Sequence, residues 1–286
     1  MIDTFVLLAP FYLLGVMALL AFVGCEFTHG ILPTQPLPGP LLRCTAANQA
    51  VDLNWDAVTD ATEYHVKRGE TMGAHDPIGN PVPAPTTIYH DPGLVNGKHY
   101  YYVVSAAVVT GMAAAVETEN SNEVDALPLG PFVTSVTPGL ASPTGRAGLF
   151  GMIIRVGPAD LTVYTLGRGH ALGITAAHDV KVFDAMTNAE LGNASVDMNS
   201  PAAGDFRYGK LIPADPTTQH VTLLAGRRYY LVSQEFTGGD RFYEQNTTVV
   251  TTSAAVVEQA VYSDAPGLFT TAGPAGGTYG PVSFQY

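Results

Sequence analysis

Behind residue 40 the chain carries its apolar residues at a period of two, in short runs cut by turn residues. Val51, Leu53 and Trp55 alternate with Asp52 and Asn54, and Tyr64 and Val66 alternate with Glu63, His65 and Lys67. Tyr100, Tyr102, Val104 and Ala106 form a third set of this kind, preceded by the turn Val95-Asn96-Gly97-Lys98. Successive side chains on a strand point to opposite faces, so each run predicts a strand with one buried face. Thirty Gly and 21 Pro supply the turns between such strands. A chain of 286 residues has room for two domains of ordinary size or one large one.

The same pattern continues to residue 286. Candidate strands are 149–156, 161–166, 180–183, 190–196, 220–224, 229–234, 247–252 and 255–262, with turns at Gly157-Pro158, Thr187-Asn188, Ala225-Gly226 and Gly238-Gly239. Eight or nine strands without a helical period predict a sandwich or jelly roll.

The N-terminal segment is different. Thr4 to Cys25 is a run of 22 uncharged residues between Asp3 and Glu26. As a helix it would span about 33 Å at about 1.5 Å per residue, enough for a bilayer core of about 30 Å. Pro10 lies inside the run and predicts a kink. The segment reads as a retained single-pass anchor. A cleaved signal peptide is a competing reading, although its basic n-region is missing. A lipoprotein signal is another, because Phe22-Val23-Gly24-Cys25 resembles a lipobox with Cys25 as the lipidated residue. Gly15, Ala18, Ala21 and Gly24 recur at three-residue intervals and would let a neighbouring membrane helix approach closely. The first basic residue is Arg43, so flanking charge does not set the orientation. The C-terminal modules are expected outside the cytoplasm, in the periplasm or at the cell surface. Residues 30–40 hold four prolines in eight residues and predict a stiff extended linker.

Composition narrows the function. The formal net charge is −12, and residues 37–128 carry 4 basic and 11 acidic side chains, so a nucleic-acid-binding face is not expected. Charged residues make up only 13% of the chain, about half the usual share. Cys25 and Cys44 form no C-x-x-C pair, so no zinc or redox motif is present, while a disulfide between them stays open.

Residues 41–128 resemble a fibronectin type III domain across nearly their whole length. Trp55 matches the core tryptophan of the family's second strand, and Tyr64-His65-Val66-Lys67-Arg68 its third. Leu94 stands six residues before Tyr100, the spacing of the tyrosine corner, whose hydroxyl bonds back to backbone. Asn120-Ser121-Asn122-Glu123-Val124, then Ala126 and Pro128, match the last strand and exit of bacterial members. The resemblance implies Trp55, Tyr64, Leu94 and Tyr100 as structural core, and Cys44 at an inward position of the first strand.

Residues 131–286 resemble a poorly characterised β-sandwich module that follows fibronectin-like domains in bacterial surface proteins. The resemblance rests on His178-Asp179-Val180-Lys181-Val182-Phe183-Asp184, on 221–226 with Tyr229-Tyr230-Leu231-Val232-Ser233, on Gly238-Gly239-Asp240 and on Phe284-Gln285-Tyr286. Some similar modules sit on carbohydrate-active proteins, which implies glycan binding by association. The expected fold class is therefore all-β. It has two β-sandwich domains, fibronectin type III-like and then jelly-roll-like, behind one N-terminal transmembrane helix. The expected divisions are 1–29, 30–40, 41–128 and 131–286.

No catalytic constellation is legible. Ser233 and Ser263 lack a strand-turn-helix elbow, and His170 and His178 stand eight apart rather than at helical metal-pair spacing. Glu235 and Asp240 flank a Gly-rich turn and are weak calcium candidates, since calcium wants six or more oxygens. Asn193-Ala194-Ser195 and Asn246-Thr247-Thr248 are sequons, meaningful in a glycosylating host. No cofactor and no enzymatic activity are expected. The expected role is a structural or accessory subunit of a membrane or cell-surface assembly, with integral membrane subunits as partners. A glycan-binding or adhesive surface protein is the alternative.

Overall fold

A computed structural model of the chain describes residues 37–286 except 109–115, 142–145, 170–175, 200–204, 238–240 and 265–266. The expected anchor, with Gly15, Ala18, Ala21, Gly24 and Cys25, lies outside the described residues, as do His170 and Asp240. Among the described residues there is no helix, and so none long and apolar enough to cross a membrane. The all-β expectation holds.

The first sandwich uses β1 (Leu42–Ala47), β2 (Ala50–Trp55), β3 (Ala61–Thr71), β4 (Ala74–Pro77), β5 (Val82–Pro83), β6 (Ile88–Pro92), β7 (Tyr100–Val108), β8 (Val116–Glu117) and β9 (Val124–Ala126). One sheet runs β1-β2-β6 and the other β4-β3-β7, with β8 and β9 on the far side of β7 and β5 against β3. All these pairings are antiparallel. Three strands facing a C-type and F-type sheet is the arrangement of a fibronectin type III-like fold. Val51, Leu53 and Trp55 face Tyr64, Val66, Tyr100, Tyr102, Val104 and Ala106 in one core. The Trp55 and Tyr64 rings meet at 5.3 Å, tilted 59°. Cys44 packs half-buried against this core, as expected, with Sγ 3.6 Å from the Asp125 carbonyl. Burial and the Asp125 carboxylate push its thiol pKa up.

The second part uses β10 (Val133–Thr137), β11 (Leu140–Ala141), β12 (Gly148–Val156), β13 (Leu161–Val163), β14 (Thr165–Gly169), β15 (His178–Asp184) and β16 (Glu190–Val196). It continues with β17 (Phe206–Lys210), β18 (Ile212–Pro213), β19 (Val221–Leu223), β20 (Arg228–Glu235) and β21 (Tyr243–Gln245). β22 (Thr248–Thr251), β23 (Ala255–Ser263), β24 (Thr270–Ala275) and β25 (Val282–Gln285) complete it. A seven-stranded sheet of order β18-β16-β15-β20-β12-β23-β24 dominates. The ladders β17-β14-β25, β13-β19 and β10-β22 cover its inner face. Met152, Ile154, Val180, Val182, Tyr229 and Leu231 of the large sheet meet Leu166, Val282 and Phe284 of the smaller layer. This second core shares no buried residue with the first.

A tyrosine corner closes each part. The Val95 N–H donates to Tyr100 Oη at 3.1 Å, and the Leu224 N–H donates to Tyr229 Oη at 2.8 Å. The two turns share one pattern, Leu-x-x-Gly-basic-x-Tyr, at 94–100 and 223–229. Gly97 and Gly226 sit at φ 74° and 71°, a left-handed conformation that other side chains resist.

Residues 37–286 pack as one compact unit. Hydrogen bonds fix the segment that connects its two cores to the part on each side of it. Gly97 N–H donates to the Pro128 carbonyl at 2.8 Å, Gly130 and Tyr286 exchange backbone bonds at 3.1 and 3.2 Å, and Asn96 Nδ2 donates to Asn48 Oδ1 at 2.9 Å. A Cβ on Gly130 would stand 2.2 Å from Asn96 Nδ2 and 2.8 Å from Asn48 Oδ1, so a side chain there would have to turn both amides away.

Candidate functional site on the outer sheet face

One cluster of charged and hydroxyl side chains in the second part is buried in its interior. Strand alternation puts Tyr229, Leu231, Ser233 and Glu235 of β20 inward. Glu235, read from sequence as a calcium candidate beside a turn, is therefore buried at 1% exposure. Arg168, fully buried on β14, holds it. Arg168 Nε donates to Ser233 Oγ at 3.0 Å and to Glu235 Oε1 at 3.1 Å, and Nη2 reaches Glu235 Oε2 at 3.1 Å. His178 Nδ1 lies 3.4 Å from Glu235 Oε2 and 3.1 Å from the Gln234 carbonyl. Ser233 thus serves as an acceptor for a guanidinium. A buried carboxylate is retained only when paired and hydrogen-bonded, and this one is. Among the described residues no three of His, Cys, Asp and Glu gather as a metal would need.

The first part holds a smaller version. Asp91 is buried and accepts from Tyr102 Oη and from Arg68 Nη1, each at 2.8 Å. Burial and the hydrogen bond to Asp91 push the Tyr102 phenol well up from its ordinary value. On the outer face of the sheet that holds β3, β7 and β8, Glu117 accepts from Ser105 and from Lys67 Nζ. These bonds hold its carboxyl down at about 2.

The accessible feature is the outer face of the seven-stranded sheet. The alternation that buries Tyr229 and Leu231 turns Arg228, Tyr230, Val232 and Gln234 to this side. Register places Phe183 and Ile153 on either flank of Tyr230, and Lys181 and Gly151 on either flank of Val232. The segment before β24 brings Phe269 across them. Its ring stacks on Tyr230 at 4.2 Å and 23° and meets Phe183 at 5.2 Å and 58°. Beneath this ridge Ile153, Val232 and Val261 form a small third core.

A groove lies on each side of the ridge. One, of about 430 Å³, has Leu149 and Phe183 as apolar wall and Lys181, Glu190, Gln234 and Asp264 as polar wall. The other, of about 410 Å³, runs past Tyr230, Ile153, Met186, Asp184 and Arg228. The polar wall of the first is held in place. Lys181 Nζ donates to Glu190 Oε2 at 3.0 Å, and Asn193 Nδ2 donates to Glu190 Oε1 at 2.9 Å. Met186 and Leu268 stand beside the ridge at 74% and 70% exposure. The rings come from three separate segments, and only the sheet register joins them.

Of the residues predicted as structural core, Trp55, Tyr64, Leu94 and Tyr100 all lie in the first core. No protein-family model matches the chain, and no curated protein matches it. It is similar to several solved structures. A Fn3-like protein from Clostridium thermocellum is 30% identical over 33% of this chain and 95% of that chain, with a TM-score of 0.28. A two-domain fibronectin type III segment of chicken tenascin is 10% identical over 82% of this chain and 99% of that chain, with a TM-score of 0.32. The chitinase ChiA74 from Bacillus thuringiensis is 17% identical over 74% of this chain and 29% of that chain, with a TM-score of 0.23.

Proposed function

We propose that the chain is a non-catalytic, membrane-anchored accessory or structural subunit of a membrane or cell-surface assembly, standing outside the cytoplasm. Residues 4–25 hold it in the membrane and contact integral membrane subunits. The outer face of the seven-stranded sheet is its docking surface. One contrast carries the reading. The buried side chains Arg168, Ser233, His178 and Glu235 are engaged with one another in the interior, although Arg168 Nη1 finds no partner among the described residues, while the half-buried rings of Phe183, Tyr230 and Phe269 gather with exposed Met186 and Leu268 on one face. Groups bonded to each other in the interior stabilise a fold, and a clustered apolar patch marks contact with a partner. A fibronectin type III-like fold suits such an extracellular adhesive or accessory role.

The test is co-purification of the full chain from native membranes. The double variant Gly15→Leu, Ala18→Leu is expected to stay in the membrane fraction while losing its partner subunits. Full recovery of partners with the double variant would remove the helix from the docking account.

A further inference from the structure

We propose that the free edge of β6, in the first sandwich, takes up an extended basic segment of a partner protein as an added strand. This site is independent of the ridge on the second part.

β6 ends the β1-β2-β6 sheet. Register pairs Asn54 with Ile88, Leu53 with Tyr89 and Asp52 with His90. The Trp55 N–H donates to the Thr87 carbonyl at 3.1 Å, which makes those two a hydrogen-bonded pair. Such pairs alternate along an antiparallel ladder. Tyr89 and Asp91 therefore also turn their N–H and C=O groups to β2, while Ile88 and His90 turn theirs away from it. Among the described residues nothing bonds to these four outward groups. Other edges are blunted. On the opposite edge, β1, the Asn122 side chain takes both the N–H and the C=O of Leu42, at 2.8 and 3.0 Å. The edges of the seven-stranded sheet, β18 and β24, carry Pro213 and Pro274.

A groove of about 630 Å³ runs along β6. Leu53, Val82, Ile88 and Tyr89 line it, with Pro81 and Pro83. Ile88 is 67% exposed. An added strand would cover it and bond to all four outward groups, the way extended peptides extend a sheet elsewhere.

Charge selects the occupant. Residues 37–128 hold 4 basic and 11 acidic side chains. All four basic groups already sit on carboxylates, as Arg43–Asp56, Lys67–Glu117, Arg68–Asp91 and Lys98–Glu70. The acidic surplus attracts a basic segment and opposes edge-to-edge pairing of two copies. His90 gives this preference a place. Its Nδ1 lies 2.7 Å from Asp52 Oδ1, and an ionised carboxylate only accepts, so Nδ1 carries a proton. Nε2 of the neutral ring is then an acceptor on a side chain 60% exposed. A lysine or arginine beside His90 can donate to Nε2, with Asp52 adding its charge. A carboxylate there would meet an acceptor and a like charge.

Isothermal titration and hydrogen exchange of the full chain in detergent test this with three peptides. One alternates arginine and valine, so that arginine shares the face of His90 and valine enters the groove. The second has glutamate in place of arginine. The third is the arginine peptide N-methylated at every arginine, which removes the N–H groups aimed at β6. The first should bind and slow exchange of the Ile88 and His90 amides. The second should bind at least about tenfold more weakly, and the third should not bind. Ile88→Pro deletes one outward N–H and no ladder bond, so the melting temperature should hold while affinity falls about tenfold. If Ile88→Pro unfolds, the N-methylated peptide on the unchanged chain decides the matter. Absence of heat with the arginine peptide at millimolar concentration, equal affinity for arginine and glutamate peptides, or binding indifferent to N-methylation would overturn the proposal. Slowed exchange on the seven-stranded sheet instead of β6 would place the peptide at the ridge, and also rejects it. Self-association of the full chain that Ile88→Pro abolishes would make β6 a contact between copies, and rejects it too.

Discussion

At the scale of single residues, the two tyrosine corners make the sharpest predictions. Tyr100 and Tyr229 are buried, and each hydroxyl accepts from a turn N–H five residues upstream. Phenylalanine keeps the ring and strands the amide. Tyr100→Phe and Tyr229→Phe should each cost about 1 kcal/mol in urea denaturation, and an unchanged midpoint for either would remove its corner from the stability account. Glu235→Ala is expected to cost more, about 3–5 kcal/mol, because it leaves the Arg168 guanidinium buried without its counter-charge. Thermal melts of Glu235→Ala beside an exposed control such as Asp215→Ala would show the difference. Trp55, Tyr64 and Tyr100 were legible as core because alternation alone assigns their face. Glu235 was misread because its neighbours in sequence form a Gly-rich turn, whereas its partner stands 67 residues away. Alternation along 228–235 carried the missing signal, since it sets Glu235 on the same side as Tyr229 and Leu231.

At the scale of elements, strands with clear alternation were found near their true bounds, and 190–196 matches β16 in both ends. The predicted strand 161–166 is two, because the chain leaves β19 after Val163 and joins β17 and β25 from Thr165. Phe206–Lys210 and Thr270–Ala275 escaped notice. Their residues, FRYGK and TTAGPA, lack a period of two, and pairing with neighbours is what extends them. The repeated Leu-x-x-Gly-basic-x-Tyr turn was readable in advance as a link between the two halves, and its meaning emerges only with both hydrogen bonds in view. The β3-β7-β8 sheet carries a pH prediction. Ser105 on β7 and Lys67 on β3 lower the carboxyl of Glu117 on β8 from 4.5 to about 2. The folded chain then binds that proton later than the unfolded chain. The stabilisation is complete above about pH 4.5 and is lost as pH falls toward about 2. Glu117→Gln should flatten the fall in stability across that window, as read from melting temperatures at pH 5 and pH 2.5. A slope equal to that of the unchanged chain would count against the Ser105 and Lys67 contacts.

At the scale of the whole molecule, two cores are linked through the short segment 128–130. Gly97, Pro128, Gly130 and Tyr286 spend their backbone groups on each other, and Asn48 and Asn96 lie against Gly130. Gly130→Val should therefore push aside the Asn48 and Asn96 amides and loosen the link between the two halves while leaving each core intact. Small-angle scattering of the full chain should report a larger radius of gyration, and the single melting transition expected of the unchanged chain should split in two. An unaltered scattering profile would show that the joint tolerates a side chain and is looser than its hydrogen bonds imply.

The joint has a mechanical meaning. A string of modules on free hinges answers a pull by straightening first, and the load reaches its anchor late and without direction. Here Tyr286 bonds back to Gly130 of the connecting segment while resting near Gly97, so the second sandwich is pinned to the link by which it leaves the first. A load on the second sandwich therefore reaches the first through a clasped link rather than a free hinge.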